Sequence, residues 1–90
     1  MVQQVKNKQK LYKYKVILDY YYIDYETRYF TVWAYNEDDA IKLVSYKGVN
    51  LYPYQLRLMA NIKVHKNHIH SFFARLFNKV PKEPICTEIQ

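Results

Sequence analysis

The chain has very little of what most enzymes and secreted proteins depend on: its 90 residues include one glycine, one cysteine and two serines. A single glycine excludes the glycine-rich loops that cradle phosphates, and neither Ser45 nor Ser71 lies in a nucleophile motif. A lone Cys86 cannot form an internal disulfide, which favours a reducing compartment. The sequence therefore predicts a protein that is not an enzyme and has neither a cofactor nor a small-molecule substrate.

Long apolar runs are also missing. No stretch approaches the roughly 20 apolar residues of a membrane helix, and the first ten residues, MVQQVKNKQK, lack the apolar region of a signal peptide. We therefore predict a cytoplasmic protein and do not expect a membrane as its partner. Lys, Tyr, Asn and Ile greatly outnumber Ala, Gly, Pro and Arg, a bias typical of the AT-rich genomes of many phages and mobile elements. On that ground the cytoplasm is predicted to be a host's.

Acidic residues are scarce and unevenly placed. The formal net charge is +6, the lysines from Lys6 to Lys15 precede the first acid, and residues 40–82 contain no Asp or Glu. Such an asymmetry indicates an anionic partner, either nucleic acid or an acidic host protein. A basic surface that serves only solubility is the alternative.

Aromatic residues are abundant: the chain has eleven Tyr, four Phe and one Trp. Because a Tyr hydroxyl needs a hydrogen-bond partner or water, we expect many of these rings at sheet margins or on an exposed face. Apolar residues make up 50% of the chain, enough for one small core.

Alternating residues from Leu11 onward predict a β-hairpin. We expect an odd, three-residue turn at 24–26, which pairs Leu18 with Val32 and keeps the apolar side chains on one face. The other face then carries Lys13, Lys15, Ile17, Asp19, Tyr21, Tyr29, Thr31, Trp33 and Tyr35.

The stretch NEDDAIKLVSYKG predicts a first helix that begins after an Asn36 cap and ends at Gly48. The following VNLYPY, which contains Pro53, reads as a loop or as a broken entry into a strand. Alternation from Tyr54 to His65 predicts a third strand of the same sheet, with Arg57, Lys63 and His65 on the face opposite its apolar residues.

A second helix is predicted in NHIHSFFARLFNKV, with Asn67 as its cap. Its apolar stripe consists of Ile69, Phe72, Phe73, Leu76, Phe77 and Val80. The helix either covers the second sheet face and buries Trp33, or presents the stripe to a partner. The opposite side of the helix carries Ser71, Arg75 and Asn78.

Together these patterns predict a small α+β domain over residues 11–80, in the order strand, strand, helix, strand, helix. Residues 1–10 are predicted to be a disordered basic arm, and residues 81–90 a disordered tail. An exposed edge of a sheet of about three strands makes a homodimer a further expectation. His65, His68 and His70 lack a nearby carboxylate or thiol in sequence, so no metal site is predicted.

The stretch FTVWAYNEDDAIKLV joins a strand directly to a capped helix. Over residues 12–64 this layout resembles that of many short accessory proteins of phages and mobile elements. The resemblance implies a similar origin and assigns no functional residues.

Two functions follow as hypotheses. The first is a non-enzymatic protein that engages nucleic acid, or the machinery acting on it, through a basic aromatic sheet face. Its predicted binding residues are Lys13, Lys15, Tyr29, Trp33, Tyr35, Arg57 and Lys63.

The second hypothesis is a protein-interaction module that binds and modulates an acidic host protein through the same face or through the second helix. The predicted docking residues of that helix are Phe72, Phe73, Leu76 and Phe77.

Overall fold

The computed structural model describes residues 10–21 and 26–89. Along the chain its elements are β1 Tyr12–Tyr20, β2 Thr27–Ala34, α1 Glu37–Leu43 continuing as a π-helical segment Val44–Gly48, α2 Pro53–Met59, β3 Ala60–Lys66, α3 His68–Leu76 and β4 Ile85–Ile89. The four strands form one antiparallel sheet in the order β3-β1-β2-β4, which confirms the predicted α+β class. Apart from Lys10, the predicted basic arm lies outside the described residues.

The hairpin of β1 and β2 has the predicted faces but a different register. Val16 lies opposite Phe30, whereas the predicted three-residue turn would place it opposite Ala34, so the predicted register is wrong. At the turn end of the hairpin Asp19 lies opposite Thr27, whose hydroxyl donates to the Asp19 carboxylate at 2.7 Å, and the Tyr20 N–H donates to the Glu26 carbonyl at 3.0 Å. Residues 24 and 25 of the predicted turn lie outside the described residues. The shift is an even number of residues, so the side chains of β1 and β2 keep their predicted faces.

The apolar face of the sheet packs against α1, the π-helical segment and α2. The Asn36 side chain accepts a hydrogen bond from the Asp39 N–H at 2.8 Å, as predicted for the helix cap. Gly48 lies directly over the buried Phe30 ring, because a Cβ there would be only 2.8 Å from Phe30 Cε2. The buried side chains that these elements enclose are Tyr14, Val16, Leu18, Phe30, Val32, Ala34, Ala40, Val44, Leu56 and Ala60.

The predicted third strand is wrong over its first half, because residues 53–59 form α2. Pro53 occupies the first helical position, where its missing N–H costs nothing, and the Gln55 side chain accepts from the Tyr52 N–H at 2.9 Å. Of the apolar positions before Ala60, Leu56 is buried and Leu58 is exposed. The strand β3 then begins at Ala60.

The prediction of a disordered tail over residues 81–90 is wrong for residues 85–89, which form β4 and extend the sheet beside β2. Cys86 packs against the core, while Glu88 forms an ion pair with Arg28 on β2. The sheet therefore has a fourth strand, which forms its edge beside β2.

The helix α3 lies at the sheet margin, beside the first residues of β1, with its polar side inward. The Lys13 carbonyl accepts from the Asn67 N–H at 2.8 Å, and the Lys13 N–H donates to the Ser71 hydroxyl at 2.9 Å. The start of α3 thus continues the pairing of β1 where β3 ends. Ser71 is fully buried, whereas the stripe is largely exposed and Trp33 is partly exposed. Of the two alternatives for this helix, the one in which its stripe covers the second sheet face and buries Trp33 is therefore wrong.

The described residues form a thin slab. Their Cα atoms span 45 × 33 × 16 Å, and the short dimension accommodates one sheet with a single layer of helices. One face of the sheet is covered by that layer. The other face is left uncovered by the described residues, apart from the end where α3 adjoins β1.

Candidate nucleic-acid interface

The outward face of the sheet, called the open face below, gathers side chains from all four strands. The strand registers place them side by side, and alternation directs them away from the core. Its residues are Lys13, Lys15, Ile17, Asp19, Thr27, Tyr29, Thr31, Trp33, Asn61, Lys63, His65, Ile85, Thr87 and Ile89.

The two predicted stacking residues of β2 lie next to lysines of β1. Trp33 is opposite Lys13 and is partly exposed, and Tyr29 is 40% exposed. The Lys15 ammonium lies 5.6 Å from the centre of the Tyr29 ring, within the range of a cation–π contact. Lys63 on β3 is exposed in the same row as Tyr29. Each aromatic ring therefore has a lysine beside it, while Ile17 separates Tyr29 from Lys63.

Charge on the open face is mainly positive. Lys13, Lys15 and Lys63 are its lysines, and the carboxylate of Asp19 lies at one end, hydrogen-bonded to the Thr27 hydroxyl. Such a surface suits a polyanion that also offers flat apolar groups.

Two of the predicted binding residues lie elsewhere. Arg57 is on α2, in the layer of helices, and does not share the open face with Lys63. Tyr35 follows the end of β2 and lines a separate groove of about 260 Å³. Three basic side chains line that groove with it: Lys10, Arg75 and Lys82.

A cleft of about 400 Å³ lies where α3 adjoins the open face. Trp33 and Lys13 of the sheet form one side, and residues of α3 and the turn after it form the other. The Lys13 ammonium donates to His70 Nδ1 at 2.7 Å, which joins the two sides. The helix-side residues of the cleft are His70, Phe73, Ala74, Phe77 and Lys79.

The sequence indicated the aromatic rings of this cleft but not their position. Phe73 and Phe77 belong to the predicted stripe, yet only the orientation of α3 brings them near Trp33. That orientation depends on Ser71, whose burial no apolar pattern would predict. The β4 residues of the open face were missed as well, although the alternation of Ile85, Thr87 and Ile89 was a signal for a short strand.

The remaining predicted docking residues form an exposed apolar surface on α3. Phe72 and Leu76 are 57% and 62% exposed, and Phe73 and Phe77 are 47% and 64% exposed. The Phe72 and Phe73 rings meet edge to face at 5.5 Å. The stripe thus stays in solvent as a contiguous aromatic patch.

The potential metal ligands are scattered over the part of the chain that the structure describes, residues 10–21 and 26–89. No three His, Cys, Asp or Glu residues there cluster in a way that could hold a metal ion. Burial, and to a lesser extent the charge of Glu88, raises the pKa of the Cys86 thiol to about 11, so the thiol stays protonated at neutral pH.

Comparisons with protein-family models, curated proteins and solved structures give no match to this chain. Among the described residues, no helix has the length and apolar character needed to cross a membrane.

Proposed function

We propose that this protein binds single-stranded nucleic acid, without catalysing a reaction on it, through the open face. The observation that carries the proposal is that each of two solvent-accessible aromatic rings has a lysine of the adjacent strand beside it. The partly exposed Trp33 lies opposite Lys13, and the exposed Tyr29 is in a cation–π contact with Lys15. Unpaired bases stack on aromatic rings, and lysines neutralise the phosphates that connect them.

The shape of the surface supports single strands over duplexes. Bases of a duplex are stacked on each other and present only their edges, whereas bases of a single strand can lie flat on a sheet. The open face is wide, because β4 adds Ile85 and Ile89 beside Trp33 and Tyr29. These isoleucines extend the apolar floor on which bases would rest.

The sequence composition supports an origin in a phage or mobile element, acting in the cytoplasm of its host. There a small basic protein would meet single strands during replication, recombination or transcription. This placement is part of the proposal and rests on composition and charge alone.

Trp33 is the only tryptophan, so its fluorescence reports directly on the open face. Titration with short single-stranded DNA and RNA is expected to change its emission until the signal saturates. Added salt is expected to lower the affinity that this titration measures. With a labelled oligonucleotide, Trp33→Ala is expected to lose about 1 to 3 kcal/mol of binding free energy. Tyr46→Ala is a matched control, because Tyr46 is an exposed aromatic in the layer of helices. If the Trp33→Ala protein is folded and binds as tightly as the wild type, binding through the open face is contradicted.

The exposed stripe of α3 favours a second function, docking to an acidic host protein and modulating it. The stretch of chain that contains the stripe has basic but no acidic side chains, since residues 40–82 contain no Asp or Glu. A partner groove with an apolar floor and acidic rims would complement Phe72, Leu76 and Arg75. Phe72→Asp should abolish such a complex and leave oligonucleotide binding unchanged, and loss of both activities would contradict the assignment of two separate surfaces.

A further inference from the structure

We propose that the cleft between Trp33 and α3 takes one unpaired nucleobase together with its adjoining phosphate. The inference rests on the proposed binding of single strands and assigns one nucleotide of the strand to a defined subsite. The cleft holds about 400 Å³, and two of its lining residues, Lys13 and Trp33, belong to the open face, so a strand bound on that face would adjoin the cleft.

Aromatic groups on both sides of the cleft suit a flat ligand. Trp33 lies on the sheet side, and Phe73 and Phe77 lie on the helix side. The two Phe rings are nearly parallel, with an interplanar angle of 12° and centroids 6.4 Å apart. A base that enters between strand and helix meets ring surfaces on two sides, which the open sheet alone does not provide.

The ionisable side chains that line the cleft are all basic. Lys13 and Lys79 line it, and no Asp or Glu is among its lining residues in the described chain. A phosphate attached to the bound base would therefore meet two ammonium groups and no carboxylate, a combination that favours a nucleotide over an uncharged aromatic ligand.

His70 supplies a directed donor. An ammonium group can only donate hydrogen bonds, so His70 Nδ1 is the acceptor of the 2.7 Å hydrogen bond with Lys13. In the neutral ring the proton then resides on Nε2, which remains available to a base carbonyl or a phosphate oxygen. The same contact holds the Lys13 ammonium at the cleft.

The test compares Phe73→Ala with Phe72→Ala. Both residues lie on α3 and are about half exposed, but only Phe73 lines the cleft. Binding of a fluorescein-labelled oligothymidylate is measured by anisotropy, with circular dichroism as the check on folding. We expect Phe73→Ala to weaken binding by about 5- to 150-fold, the range for loss of one stacked base, and Phe72→Ala to leave it within about twofold.

Trp33→Ala, measured beside them, separates failure of the subsite from failure of the proposed function. If Trp33→Ala weakens binding and Phe73→Ala does not, the cleft proposal is overturned while the open face stands. If neither variant weakens binding, both are overturned. Equal losses in Phe72→Ala and Phe73→Ala would also overturn the cleft, because they would point to the whole stripe.

A free nucleotide has the same chemistry as one residue of a strand, so thymidine 5′-monophosphate is titrated as a competitor. We expect it to displace the oligonucleotide only at far higher concentration, because it makes none of the contacts along the open face. Competition at equal concentration would overturn the assignment to a strand.

Discussion

The guanidinium of Arg28 on β2 binds both carboxylate oxygens of Glu88 on β4: Nε to Oε2 at 2.8 Å and Nη2 to Oε1 at 2.6 Å. The Arg28 guanidinium also lies 5.5 Å from the centre of the buried Phe30 ring. The edge strand is therefore connected to the core by a two-point ion pair whose arginine is held by an aromatic ring.

Glu88→Gln should destabilise the protein by about 0.5 to 1 kcal/mol at neutral pH, the range for a partly exposed pair. Hydrogen bonds from Arg28 are the main cause that lowers the pKa of Glu88 below its ordinary value of 4.5. A lowered pKa in the folded state means that this stabilisation is present above pH 4.5 and is lost as the pH falls through the lowered value. Chemical denaturation at neutral and acidic pH should show the two proteins converging on acidification.

Glu83→Gln is the control for that series, because Glu83 is exposed and forms no salt bridge in the part of the chain that the structure describes. Its stability should follow that of the wild type at every pH. A constant difference between Glu88→Gln and wild type down to strongly acidic pH would contradict a role for the charge.

Replacing the small Ser71 should cost more stability than replacing the large Phe72. The Ser71 hydroxyl accepts from the Lys13 N–H and donates to the Asn67 carbonyl at 2.7 Å, and it is fully buried. Ser71→Ala leaves a buried backbone donor without its partner, which costs about 1 to 3 kcal/mol. Phe72→Ala removes a ring that is 57% exposed and should cost about 0.5 kcal/mol or less. Urea denaturation of both variants gives the order, and the reverse order would mean that α3 docks through its stripe.

Gly48→Ala tests the close approach to Phe30. In a helical segment this change alone would stabilise by about 0.4 to 1 kcal/mol, since alanine has less freedom in the unfolded chain. The added methyl would lie 2.8 Å from a ring atom of a fully buried side chain, and such overpacking costs about 1 to 3 kcal/mol. Steric conflict therefore outweighs the gain, and thermal denaturation should show a lower Tm.

Phe30→Leu, tested alone and with Gly48→Ala, completes a double-mutant cycle for this contact. The cost of Gly48→Ala should shrink in the Phe30→Leu background, because the ring atoms that the methyl would meet are gone. An unchanged cost would place the conflict elsewhere.

Lys63→Ala should reduce the salt dependence of oligonucleotide binding. For a single strand, each neutralised phosphate contributes a slope of about 0.7 in the logarithm of affinity against the logarithm of salt concentration, so loss of one contact should lower the slope by about that amount. Lys47→Ala is the charge-matched control, because Lys47 is exposed on the π-helical segment in the layer of helices. Equal slopes for both variants would indicate attraction by net charge alone.

Sequence patterns predicted the elements whose signals are local. The alternation of β1 and β2 identified the two faces, and Asn36 with the acids after it identified the start of α1. The register of the hairpin was not accessible in the same way. The alternation of side chains fixes which face each residue occupies. Any register that differs by an even number of residues gives the same faces, so only the length of the turn selects one register.

The remaining errors have tertiary causes. The strand β4 turns only Cys86 and Glu88 toward the core side, and a glutamate there is tolerated because Arg28 binds it from another strand. The outward direction of the α3 stripe follows from hydrogen bonds of Ser71 and Asn67 to β1, which periodicity does not encode. For the candidate site, the positions of the β1 and β2 residues and of Lys63 were therefore predictable, whereas those of Arg57, Tyr35, the β4 residues and the cleft were not.

The order of the strands also bears on how the protein folds. The hairpin of β1 and β2 forms from neighbouring residues, but β3 pairs with β1 through contacts such as Leu18 with Ile62, and β4 pairs with β2 through Thr31 with Thr87. Closing such long loops lowers the chain entropy before the strand pairing contributes any stabilisation. Folding is therefore expected to be slow for a chain of this size. During synthesis the hairpin emerges long before residues 85–89, and until they arrive the edge of β2 is an unpaired template for other strands.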